Sequence, residues 1–217
     1  MRLRRHPLAR QILSTHPLVV QQPEESKGQW ETLFPSKQPL YIELGTGKGQ
    51  FLAKAAKLHP HINWIGVEKI EEPLMHAVQK GEATKCTNLR YIWMDITKLE
   101  EVFAPSEEVD RIYLHFSDPW PKTRHAKRRL THHTFLDKYR NVLKPDGDLI
   151  LKTDSVSLFD FSLEELEAHG WKIVEMSRDL HQSEWASTNI TTEYEEKFSG
   201  RGFTINYVRA FPPQGKR

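Results

Sequence analysis

Five carboxylates punctuate the chain. Glu43, Glu68, Asp95, Asp118 and Asp154 each stand at or next to the end of a short apolar run, covering residues 40–44, 63–68, 89–94, 109–116 and 148–153. One acid after such a run is ordinary turn chemistry or a helix cap. Five on one rim repel each other unless a ligand or cation lies near. The first run leads into Glu43-Leu44-Gly45-Thr46-Gly47-Lys48-Gly49, where Gly45 and Gly47 let the backbone turn sharply and approach a ligand closely. A dinucleotide fingerprint needs a glycine at position 50, which is Gln50, and no Ser or Thr follows Lys48 as in a P-loop. Glu68 lies about twenty residues beyond the turn, where a carboxylate can accept both ribose hydroxyls of an adenosine. Asp95 is placed to accept from an adenine amino group. The rim suits an adenosine, with a loop that does not favour pyrophosphate.

A second constellation follows the fourth run. In Phe116-Ser117-Asp118-Pro119-Trp120-Pro121-Lys122 the prolines restrict the turn and fix Asp118 and Trp120. A carboxylate suits paired N–H donors on a ligand, and Asp118 and Asp154 are the candidates. Trp120 either stacks on an exposed base or packs on the protein as a lid. Lys122, Arg124, Lys127, Arg128 and Arg129 come directly after the turn. Such cations position a phosphate backbone without reading sequence, or they form a solvated charged face. Arg2, Arg4, Arg5 and Arg10 make a second basic segment. His59, His61, His132 and His133 lack metal-ligand spacing, so no metal is expected. Cys86 has no base near it in sequence.

The elements that must position these groups alternate. The short runs read as strands, and helical spacing marks residues 50–58, 73–85, 130–143 and a segment capped by Asp154 or Ser155 that runs to Gly170. Residues 171–176 and 203–211 read as two late strands that form an antiparallel edge. This is an α/β fold with a doubly wound, mostly parallel sheet, in which ligands lie beyond the carboxyl ends of the strands. Residues 1–38, with Pro7, Pro17, Pro23 and Pro35, read as a basic N-terminal extension, and residues 39–217 as one domain.

With 217 residues, 38% hydrophobic and 28% charged, the chain is polar but able to build a core. No apolar run approaches the ~18 residues of a membrane span, and no apolar stretch follows the basic N-terminus to make a secretory signal. A single cysteine excludes an internal disulfide and fits a reducing, cytoplasmic setting. The net charge of +2 alone predicts no polyanion partner, so a nucleic-acid reading rests on the clustered cations.

The glycine turn resembles the first motif of class I S-adenosylmethionine-dependent methyltransferases. The string from Phe116 to Lys122, the basic stretch Arg124-His125-Ala126-Lys127-Arg128-Arg129 and the late Thr192-Glu193-Tyr194-Glu195 resemble one branch, the bacterial tRNA (guanine-N7-)-methyltransferases. The likeness runs from about residue 39 to 211. It implies a Rossmann-like seven-stranded sheet and S-adenosylmethionine as cofactor, held by acids matching Glu43, Glu68, Asp95 and Asp118. It implies substrate residues matching Lys122, Asp154 and Thr192 to Glu195, RNA contacts across residues 124–129, and a guanine in the tRNA variable loop as target. Asp118 is the residue expected to link cofactor and guanine. Two other readings stay open: methylation of an exocyclic amino group, because Asp118-Pro119-Trp120 is loosely like an Asp/Asn-Pro-Pro-aromatic turn, and a non-catalytic RNA-binding module. No helix face marks an oligomer interface, so monomer and homodimer are both expected.

Overall fold

Leu40, Ile42 and Leu44 are buried apolar residues on a short extended segment, and Glu43 among them is buried too. The computed structural model describes residues 7–105, 108–199 and 202–214; Arg2, Arg4 and Arg5 lie outside them. Among the described residues seven strands, β1 (Leu40–Leu44), β2 (Asn63–Glu68), β3 (Leu89–Trp93), β4 (Val109–His115), β5 (Leu143–Thr153), β6 (Lys172–Ser177) and β7 (Asn206–Phe211), form one sheet in the order β3-β2-β1-β4-β5-β7-β6. The chain divides into two compact units, Met1–Ala104 and Pro105–Arg217.

In the first unit β1 (Leu40–Leu44), β2 (Asn63–Glu68) and β3 (Leu89–Trp93) are parallel. Helix α1 (Ala9–Leu13) precedes them, α2 (Gln50–Leu58) joins β1 to β2, and α3 (Glu71–Thr84) joins β2 to β3. α2 buries Phe51, Leu52, Ala55 and Ala56, one stripe of a 3.6-residue period. α3 starts two residues before Pro73, placing the proline in the first turn, where its missing N–H is harmless, beside Glu71 and Glu72. Residues 7–38 do not hang free. Ala9, Leu13, Val19, Trp30 and Phe34 are buried. Tyr91 N donates to Leu18 O and Val20 N to Tyr91 O, so this segment covers the edge of β3. Trp30 Nε1 donates to Val102 O in the short helix α4 (Leu99–Val102).

The second unit holds β4 (Val109–His115), β5 (Leu143–Thr153), β6 (Lys172–Ser177) and β7 (Asn206–Phe211), with helices α5 (His133–Val142), α6 (Val156–Ala168) and α7 (Glu193–Ser199). β4 and β5 are parallel, and β7 runs antiparallel to both β5 and β6. The expected antiparallel edge is therefore present, with β7 inserted beside β5 and β6 outermost. β7 begins at Asn206, later than the expected residue 203. α5 begins at His133, later than residue 130, because His132 Nδ1 accepts from Thr134 N and caps the helix. Val109 pairs with Leu143 but Arg111 with Asp148, so residues 144–147 bulge out of the ladder. Arg111 and Arg209 both donate to the buried Asp148, and Arg209 and Tyr207 to Glu175, tying all four strands across one face. This is the doubly wound, mostly parallel seven-stranded sheet expected. Among the described residues no helix is long and apolar enough to cross a membrane.

Candidate active site

In the first unit the glycine turn folds back on the end of β2. Gly45 and Thr46 donate their N–H groups to Val67 O. Gly45, Gly47 and Gly49 have φ of 82°, 55° and 73°, the left-handed region that glycine enters freely. A Cβ built at Gly45 or Gly47 would meet no atom within 4 Å, whereas at Gly49 it would lie 2.5 Å from Ala77 Cβ. Gly49 thus serves helix packing, and the space beside the other two is open to a ligand.

The acids of this unit divide by how much of each carboxylate is used. Glu68 Oε2 accepts from Gly47 N at 3.0 Å, and Oε1 accepts from Lys69 N and Ile70 N, both at 2.9 Å. Glu68 therefore braces the glycine turn and keeps about one free acceptor position, on Oε2. The carboxylate expected to take both ribose hydroxyls has room for one. Asp95 caps the short helix that follows it, Oδ1 accepting from Thr97 N and Oγ1. These bonds, the backbone one foremost, hold its pKa below the usual carboxylate value against the opposing effect of burial, with Lys69 at 3.4 Å from Oδ2 adding to them. Glu43 is buried at the end of β1, and its charge adds to burial in pushing the Tyr91 phenol far up.

In the second unit the turn after β4 carries two bulky residues in the left-handed region, Phe116 at φ 51° and Trp120 at φ 42°. Such conformations are strained and cluster at functional sites. Asp118 lies between them, exposed, and its carboxylate accepts no hydrogen bond from any described residue. It does not cap its turn. After the neighbouring strand, Asp154 Oδ2 accepts from Tyr194 Oη at 3.2 Å. The Tyr194 ring packs between Phe116 and Phe198, at 4.8 Å and 4.1 Å. Burial first, then the Asp154 charge, raises the Tyr194 pKa, so the phenol stays a donor.

Thr192 to Glu195 is a capping box. Thr192 Oγ1 accepts from Glu195 N at 2.9 Å, and Glu195 Oε2 accepts from Thr192 N at 3.3 Å. Glu195 is fully buried and also takes Lys152 Nζ at 2.7 Å, His181 Nε2 at 2.8 Å and the Asn189 amide. Of the six residues matched to substrate contacts, four lie in this stretch, and of these Thr192 and Glu195 are enclosed. They fix the start of α7, while Glu193 and Tyr194 are exposed. Lys152 was not singled out by sequence, although a lysine inside a buried strand is itself a sign of a buried partner.

The basic stretch folds as a 3₁₀ segment, Thr123–Arg128. Lys122, Arg124, Lys127 and Arg128 are exposed; His125, Ala126 and Arg129 are half-buried. His125 meets the Trp120 ring edge-on, so Trp120 has protein neighbours on this side. His132, His133 and Glu165 bring one ligand atom each within 4.8 Å of one another. Within the group His132 Nδ1 caps α5, and Glu165 Oε2 accepts from His133 N and pairs with His133 Nδ1. The group joins α5 to α6.

Solved structures of methyltransferases share this architecture. An antibiotic-related methyltransferase superposes with a TM-score of 0.61 at 15% identity over 88% of this chain and 94% of its own. A 16S rRNA methyltransferase, KamB, gives 0.60 at 15% identity over 85% and 93%. At that identity the likeness concerns the fold. A family model described as "Putative methyltransferase" matches residues 37–207. A tRNA (guanine-N(7)-)-methyltransferase of Lachnoclostridium phytofermentans is 47% identical over 97% of this chain and 98% of its own, and one of Brevibacillus brevis is 48% identical over the same shares. The chain belongs to the tRNA (guanine-N(7)-)-methyltransferase family.

Proposed function

We propose that this protein transfers the methyl group of S-adenosylmethionine to N7 of a guanine in the tRNA variable loop. The observation that carries the reading is Asp118, a carboxylate with no hydrogen-bond partner among the described residues, on a strained turn, in a chain nearly half identical to enzymes of that name over almost its full length. Residues 39–217 are the methyltransferase domain in this reading, and residues 1–38 its basic extension. The protein acts in the cytoplasm as a monomer or homodimer.

The residues of the first unit fit an adenosine. The open space beside Gly45 and Gly47 and the free acceptor on Glu68 Oε2 suit a ribose, and Asp95 Oδ2 suits an adenine amino group. Glu43 completes the acidic set. The cofactor supplies a methyl group on a positively charged sulfur. Neutral guanine already presents a lone pair at N7, so the N–C bond forms as the C–S bond breaks and no proton is removed. What the protein must supply is alignment. Asp118 accepts from the guanine edge, and Asp154, kept in place by Tyr194, offers its second oxygen beside it. Lys122, Arg124 and Lys127 hold phosphates.

Glu68→Ala is expected to weaken S-adenosylmethionine binding by about 1.5–3 kcal/mol, with little change in tRNA affinity. Calorimetry showing wild-type cofactor affinity would remove Glu68 from the site. Arg124→Gln with Lys127→Gln should flatten the salt dependence of tRNA binding by up to about two phosphate equivalents; an unchanged slope would make the stretch a solvated face. The chemistry itself is tested by the pH profile of single turnover with both substrates saturating. The rate should lack a steep rise between about pH 6 and 8, the window of a tuned general base. A log-linear rise there would mean that the nucleophile must lose a proton, against attack by N7.

A further inference from the structure

Arg129 is spent on the turn that carries Asp118. Its Nε donates to Pro119 O and its Nη2 to Trp120 O, each at 3.1 Å. The guanidinium lies over the Phe161 ring, 4.3 Å from its centroid. Both carbonyls belong to the strained end of the turn, where Trp120 has φ of 42°. A left-handed tryptophan persists only if its surroundings over-determine it. Here the segment that follows the turn grips it on several sides: Arg128 stacks on the Trp120 indole at 4.8 Å, His125 meets that ring edge-on at 5.7 Å, and Arg129 holds the two carbonyls. The planar fork of a guanidinium matches two successive acceptors, which a lysine ammonium does not.

We propose that Arg129 is a positioning residue for Asp118. It locks the Asp118-Pro119-Trp120 turn in its strained form and so fixes the carboxylate that receives guanine, instead of contacting tRNA phosphate as its place in a basic stretch suggests. The inference rests on Asp118 being the guanine acceptor. The stretch then has two faces. Exposed Lys122, Arg124 and Lys127 meet the nucleic acid, and half-buried Arg129 meets the protein.

The test uses Arg129→Lys, Arg129→Gln and Phe161→Leu in the full-length protein. Arg129→Lys keeps the charge and loses the fork, and its single-turnover rate with both substrates saturating should fall at least about tenfold. The salt slope of tRNA binding and the affinity for S-adenosylmethionine should match wild type in both arginine variants. Phe161→Leu removes the surface under the guanidinium without changing charge and should lower the rate in the same direction, less steeply. A phosphate contact gives the opposite pattern: Arg129→Lys keeps the rate, Arg129→Gln loses about one phosphate equivalent of slope, and Phe161→Leu is neutral. That pattern would overturn the proposal, as would variants that only melt earlier while turning over at the wild-type rate per folded molecule. If Arg129→Gln does not fold, the other two variants decide. A substrate-free readout stands beside these. The ¹⁵N–¹H resonance of the Trp120 indole, assigned through Trp120→Phe, should shift or broaden in Arg129→Lys, and an unmoved resonance would refute the clamp. If wild-type protein leaves guanine N7 unmethylated, the functional reading fails while the indole resonance still judges the clamp.

Discussion

Lys152→Met is expected to destabilise the protein by about 3–5 kcal/mol, the usual result of removing one partner from a buried ion pair. The Lys152 and Glu195 side chains are 3% and 0% exposed. Lys152 also donates to Asn189 Oδ1 and Ile190 O, so its loss leaves two further acceptors unmet. The pH dependence has a definite sign. Burial alone would raise the Glu195 pKa, but Lys152 and the hydrogen bonds from His181 and Asn189 outweigh it and hold the pKa down. A carboxylate depressed in the folded state adds stability above its unfolded pKa of about 4.3, and that stability is lost as pH falls through the folded value. Without Lys152 the shift reverses, because burial, the largest influence, is then opposed only by the hydrogen bonds from His181 and Asn189, and protonation relieves a buried charge that has lost its cation. The stability gap between wild type and variant, from urea unfolding, should therefore narrow as pH falls from about 7 towards about 4. A gap that stays constant would mean that the pair is not the source of the loss.

Asp118→Asn should lower single-turnover methylation at least about a hundredfold, roughly 2.7 kcal/mol of transition-state stabilisation. The substitution keeps the shape of the side chain but replaces one acceptor oxygen with an amide donor, which then faces guanine's own donors. Because Asp118 is exposed and accepts no hydrogen bond from the described residues, the change should leave folding intact. Affinity for tRNA should stay near wild type, since phosphate contacts dominate it. Near-normal turnover in the variant would end the alignment role. A wild-type rate that rises log-linearly with pH, with the rise abolished in the variant, would make Asp118 a base.

Alternation of apolar runs with helical spacing was enough to read the parallel core of the sheet, because strands buried on both faces are continuous in hydrophobicity. The acids at the strand ends were visible for the same reason. Other features depend on contacts between distant residues. The segment before residue 39 has no long element and so no periodicity, yet Trp30 and Val19 complete the core of the first unit. The helical spacing of residues 130–143 runs into Lys144-Pro145-Asp146-Gly147, residue types that normally end an element, whereas here they bulge within β5. Thr192 and Glu195 have the spacing of a capping box, yet from sequence they enter only as residues matched to substrate contacts, and no spacing shows that the same glutamate meets Lys152 of β5. The basic stretch after Trp120 looked uniform in sequence. The structure separates it, since the charge on Arg129 is directed at two carbonyls and an aromatic ring.

The most direct test of the proposed function is to identify the methylated atom. Purified protein is incubated with S-adenosylmethionine and unmodified tRNA transcripts, and the digested nucleosides are resolved by mass spectrometry against authentic standards. 7-Methylguanosine should appear, located in the variable loop by cleavage at the modified residue, and should be absent when Asp118→Asn replaces the wild-type protein for the same short reaction time. A methyl group on an adenine or cytosine amino nitrogen, or no methylated nucleoside at all from folded protein that binds the cofactor, would contradict the account.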